Sequence, residues 1–143
     1  MSVPLPKPIA DLVKATNSFN VDAFMETFAD GALVNDRHRQ FWGKDAIKRW
    51  CEIEIVGDRV TMEASHVVHH FGDFIVTAKF GGDYERAGDK PTDLPKVLYL
   101  ALYFTLRSDK IVQMIVLPIN GRNLSAPTAT SEAATPFSTP LKL

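Results

Sequence analysis

The spacing of apolar positions changes near residue 57: before it they recur every three to four residues, and after it they alternate. Ile9, Leu12, Val13 and Thr16 stand at i, i+3, i+4 and i+7, which predicts a helix with Pro8 in its first turn and its end at Asn17-Ser18. Asn20 can cap a second short helix whose Val21, Phe24, Met25 and Phe28 share one face, and Gly31 predicts its left-handed stop. "ALVND" (32–36) then reads as a brief strand. "GKDAIKRWCE" (43–52) reads as a third helix with Ile47, Trp50 and Cys51 on one side.

Strands follow. "RVTMEASHVVHH" places Val60, Met62, Ala64, His66 and Val68 on one face. Gly72-Asp73 marks a hairpin, with "FIVTAKF" as its return. A second hairpin pairs "KVLYLALYFTLR" with "KIVQMIVLPI" through a turn at Ser108-Asp109. In it Leu98, Leu100, Leu102, Phe104 and Leu106 face one way, and Val97, Tyr99, Ala101, Tyr103 and Thr105 the other. On its last strand Val112, Met114 and Val116 oppose Ile111, Gln113, Ile115 and Leu117. Helices first and long antiparallel strands afterwards define an α+β layout. A sheet with one solvated face alternates apolar with polar residues, whereas both faces are apolar here. The helices can cover one. A second copy of the chain is expected to cover the other, through Tyr99, Tyr103, Gln113 and Ile115.

The proline-bearing "MSVPLPK" (1–7) reads as an extended arm. Residues 8–120 form the predicted domain, interrupted by a polar connection, "ERAGDKPTDLP". The Ser/Thr/Ala/Pro-rich tail (121–143) carries no periodicity.

Composition narrows the partners. The net charge of −1, from 16 basic and 17 acidic residues, supplies no field for nucleic acid or anionic lipid. The longest apolar runs fall well short of the ~18 residues of a membrane span. The one cysteine suits a reducing compartment, so a cytoplasmic protein is expected. Neither a glycine-rich phosphate loop nor a serine nucleophile elbow is present, and no cofactor is expected. A metal site is not expected either. His69 and His70 point to opposite faces of a strand, while His66 and His70 lie about 13 Å apart along it.

Two stretches carry a resemblance. "FADGALVNDRHRQFWGKDAIKRW" (28–50) is similar to an "F-A-D-x-A-x-V-x-D" motif followed by "G-x-x-A-I", and "FTLRSDKIVQMIV" (104–116) to a closing hairpin. Both belong to the nuclear transport factor 2-like superfamily, in its SnoaL-like, polyketide cyclase-like branch. The resemblance implies a cone-shaped curved sheet, mixed or antiparallel, wrapped around three N-terminal helices, with an apolar pocket at its mouth. In ketosteroid isomerase, a member of the superfamily, the aspartate of "V-x-D" is the general base, and Asp36 matches it. The positions matching that enzyme's oxyanion donors are Leu12 and Leu102, which cannot donate. The acid and arginine positions of limonene epoxide hydrolase fall near Lys79, Gly81 and Val116, so that mechanism lacks its acids.

The candidate catalytic residues are therefore Asp36 and His38, as general base and polar partner. The candidate ligand-binding residues are Phe24, Phe28, Trp42, Trp50, His66, Leu102 and Phe104. At the mouth of a cone, Asp36 meets opposed influences: desolvation favours its neutral form, and Arg37 and Arg39 its charged form. The same cluster also reads as a polar bend, Trp50 as core, and Glu54 as facing either way. Two functions follow. One is binding of a small hydrophobic molecule, extending to cofactor-free isomerase or cyclase chemistry on a carbonyl or cyclic compound. The other is a non-catalytic ligand-binding or protein-interaction dimer.

Overall fold

The computed structural model describes residues 3–82 and 98–119. Helices α1 (Lys7–Asn17), α2 (Val21–Glu26) and α3 (Gly43–Trp50) are interleaved with strands β1 (Phe28–Asp36) and β2 (Arg39–Trp42). A π-helical turn, Cys51–Ile55, continues α3 and leads to β3 (Thr61–His70), β4 (Asp73–Gly81), β5 (Leu98–Arg107) and β6 (Lys110–Pro118). The polar connection and the tail lie outside the described residues. Among those described, no helix is long and apolar enough to cross a membrane.

The six strands form one curved, mixed sheet in the order β2-β1-β6-β5-β4-β3. Every neighbouring pair is antiparallel except β1 and β6, which run parallel with Asp36 opposite Val116. The helices lie against the inner face, where Ile9, Leu12, Phe24, Ile47, Leu102 and Phe104 meet in one core. The α+β layout is as the periodicity predicts. Asn20 caps α2 by accepting from the Ala23 amide at 3.0 Å. Asn17, the last residue of α1, acts as a strand partner: its amide exchanges two hydrogen bonds with the backbone of Met62, at 2.8 and 3.0 Å.

Local corrections explain where side chains end up. Gly31 does not stop α2, which closes earlier at Thr27, whose hydroxyl donates to the Phe24 carbonyl at 2.8 Å. Gly31 instead lies within β1 at φ +74, where the register against β6 shifts between Phe28 and Leu33. It serves as a bulge glycine. A shift between Ala64 and His66 makes Ser65 the extra residue of β3, so the predicted alternation reverses beyond it. A third shift, in β5–β6, leaves Val112 unopposed and turns Ile111 inward, fully buried. Strand β2, which periodicity misses, is four residues long and, among the described residues, pairs only with β1.

Candidate functional site

Inner-face side chains of the sheet and the facing helices leave a cavity of about 120 Å³. Leu12, Phe24, Trp50, Met62, Leu100, Leu102 and Met114 form most of its apolar wall. For scale, an engineered apolar cavity of about 150 Å³ stays dry and takes up benzene. The void thus suits a molecule about one ring in size. A wider groove between α1, α2 and the β5–β6 turn is lined by Lys7, Asp11, Lys14 and Asp109 and lies away from Asp36.

One end of the cavity is polar. Asp36, 6% exposed, closes β1. Its Oδ2 accepts from Arg39 Nη2 at 2.5 Å and from Trp50 Nε1 at 3.2 Å, and its Oδ1 accepts from Arg37 Nε at 3.1 Å. Arg39 also donates to both oxygens of Glu54, at 2.7 and 2.8 Å. That fork, followed by the pairing with Asp36, holds the Arg39 guanidinium more firmly protonated than an isolated arginine. Glu54 and Ile55 reach the cavity because the π turn widens the end of α3, with the Val56 amide donating to the Cys51 carbonyl at 2.8 Å. Such turns recur at functional sites. Gly57 is required just after it: a Cβ there would stand 2.2 Å from the Ile53 carbonyl oxygen.

Asp36 and Arg39 close a two-residue hairpin whose loop residues, Arg37 (φ 53) and His38 (φ 79), are both left-handed. This is the type I′ pattern, which favours Asn-Gly. For an ordinary side chain the left-handed conformation costs roughly 1–2 kcal/mol per residue. The turn is held in place by the Arg37 amide donating to the Val116 carbonyl (3.1 Å) and the His38 amide donating to Asn35 Oδ1 (2.9 Å).

The structure brings some predicted site residues together and separates others. Asp36, Phe24, Trp50 and Leu102 line the cavity. Phe28 and Phe104 are fully buried in the core without lining it. The His38 side chain lies on the exposed turn, outside the lining. His66 is exposed, because the Ser65 bulge takes it off the inner face, and its Nδ1 lies 3.2 Å from the Ser65 hydroxyl. Trp42 is 64% exposed and pairs with Leu33 on the outer face of the sheet. Leu12, which matches an oxyanion-donor position of the isomerase, does line the cavity as an apolar wall. Sequence reasoning missed Arg37, Ile55, Asp58 and Met114 as lining residues. The Cys51 thiol is pushed up to about 12, by burial first and then by Glu52, so it is no nucleophile. Among the described residues no group of three or more potential ligands could hold a metal.

No family model and no curated protein matches the chain. Solved structures do. The chain is similar to a candidate polyketide cyclase from Sinorhizobium meliloti at 25% identity, covering 78% of this chain and 94% of that one, with a TM-score of 0.65. It is also similar to SalBIII, an epoxide hydrolase/cyclase-like enzyme in pyran ring formation of the polyether salinomycin. There the identity is 20%, the shares covered are 79% and 88%, and the TM-score is 0.68. A candidate SnoaL-like polyketide cyclase from Jannaschia sp. CCS1 gives 16%, 87% and 92%, and 0.65. The chain has the fold of nuclear transport factor 2-like proteins, and candidate SnoaL-like polyketide cyclases stand among its structural neighbours.

Proposed function

We propose that the protein binds a small hydrophobic molecule, about one ring in size, in the cavity on the inner face of the sheet. The observation that carries this reading is an apolar void with one buried, ion-paired carboxylate, Asp36, set in its wall. Binding sites of this kind combine apolar walls with a few fixed polar groups. The likeness to candidate cyclases supports a cyclic or carbonyl-bearing ligand. Acid–base chemistry with Asp36 as the base is the catalytic extension. Three donors already engage its two oxygens, which favours binding over proton abstraction.

Methionine methyl NMR tests the binding. Met62 and Met114 line the cavity, whereas Met25 is buried elsewhere in the core. Titration with methylenecyclohexane is expected to shift the Met62 and Met114 methyls saturably and leave Met25 in place. Shifts in none of them, up to the solubility of the probe, would sink the reading.

A homodimer is the second part of the proposal, favoured by the outer sheet face. Val68, Ile75, Tyr103 and Ile115 stand side by side across β3, β4, β5 and β6. Val68 is 54% exposed and Tyr103 38%. A second copy packed through Tyr99, Tyr103, Gln113 and Ile115 would cover that row. Light scattering of the wild type and of Tyr103→Asp is the test, and a wild-type monomer at high concentration refutes it. The one buried, free cysteine supports a cytoplasmic setting.

A further inference from the structure

We propose that Arg37 is the specificity-determining residue of the cavity, selecting ligands that present a neutral carbonyl oxygen at its polar end. The inference rests on the binding reading above. Arg37 lines the cavity, and its backbone is pinned to β6 through Val116. Its Nε is spent on Asp36, and among the described residues nothing takes its two Nη groups. The guanidinium is thus oriented at one edge and open at the other, with donors left for an acceptor inside the void.

The backbone supplies the second observation. The chain places arginine and histidine, not Asn-Gly, in a turn that requires two left-handed residues. The ion pair to Asp36 does not account for this choice. That pair uses Arg37 Nε alone, as the donor to Asp36 Oδ1 beside the Arg39 and Trp50 bonds to Oδ2, and among the described residues leaves the two Nη groups without a task. A backbone outlier at a cavity mouth, kept against preference, points to a task for its side chain.

The charge of the surroundings sets the ligand class. Asp36 and Glu54 line the cavity with Arg37, and Arg39 bridges the two carboxylates, so these four charges cancel. A bound anion gains no net attraction there while losing its hydration. A neutral acceptor, such as a ring ketone or lactone, gains the charged hydrogen bond at a smaller desolvation cost.

The test compares cyclohexanone with methylenecyclohexane, which differ only in oxygen against a methylene group, using the methyl shifts of Met62 and Met114 to obtain both Kd values. Water holds the ketone more tightly than the hydrocarbon, so the ratio of the two Kd values, not either alone, isolates the hydrogen bond. In Arg37→Met the ratio of ketone Kd to hydrocarbon Kd is expected to rise tenfold or more, with the hydrocarbon Kd little changed. Arg37→Asn, whose residue suits the left-handed turn, is the second variant should Arg37→Met fold poorly, and the same rise is expected.

A ratio that stays within about threefold of wild type while both probes bind overturns the inference and leaves the binding reading standing. So does wild-type protein that binds cyclohexanecarboxylate more tightly than cyclohexanone. Failure of both neutral probes to bind the wild type removes the binding reading, and this inference with it.

Discussion

Two hairpin turns with the same backbone sit at opposite ends of β6. Ser108-Asp109 (φ 52 and 62) joins β5 to β6 at the start of that strand, and Arg37-His38 (φ 53 and 79) lies beside its end. Short polar residues such as Asp can support a left-handed conformation with local hydrogen bonds, so Ser108-Asp109 is a turn chosen for its backbone. Arg37-His38 meets the same geometric demand with long side chains, of which Arg37 reaches back to Asp36 through Nε and turns toward the cavity. The difference separates a turn that only reverses the chain from one that also presents a side chain to the cavity.

The largest test removes what holds the cavity-side turn. Asp36→Ala leaves the Trp50 indole and the Arg39 guanidinium without a buried partner. A loss of about 2–3 kcal/mol is expected by urea denaturation, against about 1 kcal/mol or less for Asp109→Ala at the other end. Equal losses would erase the contrast. The β3–β4 turn, Phe71-Gly72, is an intermediate case, because glycine takes its second left-handed position at φ +87. Gly72→Ala is expected to cost about 1 kcal/mol.

A gain should follow where a side chain was favoured over the backbone. Arg37→Asn together with His38→Gly is expected to stabilise the protein by up to about 1 kcal/mol. Ser108→Asn should change stability by only a few tenths, about 0.3 kcal/mol. A double variant at residues 37 and 38 that unfolds earlier than wild type would show that the arginine serves the fold.

The last contrast, confined to strongly alkaline solution, concerns the π turn beside that hairpin. The folded Cys51 thiol keeps its proton up to about 12, whereas an unfolded thiol loses it near the model value of 9.0. Between those values the native state binds more protons, so stability should fall as pH rises through that window. The same burial predicts that a thiol reagent labels Cys51 only on unfolding. Labelling rates therefore rank the turn variants without a denaturant.

Much of the fold was legible because period and composition agreed. Ile9, Leu12 and Thr16 announced α1, Asn20 its successor, and Leu98 to Leu106 the inner face of β5. The elements that escaped depend on tertiary context. Strand β2 has four residues and no turn signal before it, since Arg-His is an unusual I′ pair. The Ser65 bulge cannot be seen in an alternating pattern, yet it alone moves His66 from the inner face to the surface. At the site, Asp36, Phe24, Trp50 and Leu102 were found by likeness and by apolar face. Arg37 was missed because a charged residue next to a strand end reads as solvated. What would have exposed it is the turn geometry, which only the pairing of Asp36 with Arg39 reveals.

The parallel pairing of β1 with β6 has a consequence for how the chain matures. Asp36 and Val116 are partners across the whole of β2 to β5, so their contact must close a long loop before it returns any stabilisation. During synthesis, emerging at about 5–20 residues per second, the helices and β1 leave the ribosome with no sixth strand to receive them. The hairpins β3–β4 and β5–β6 can form locally in the meantime. The cavity and its carboxylate are thus assembled last, from the first and final strands together. Any truncation that reaches β6 would leave β1 and β2 stranded, with the polar end of the pocket unbuilt.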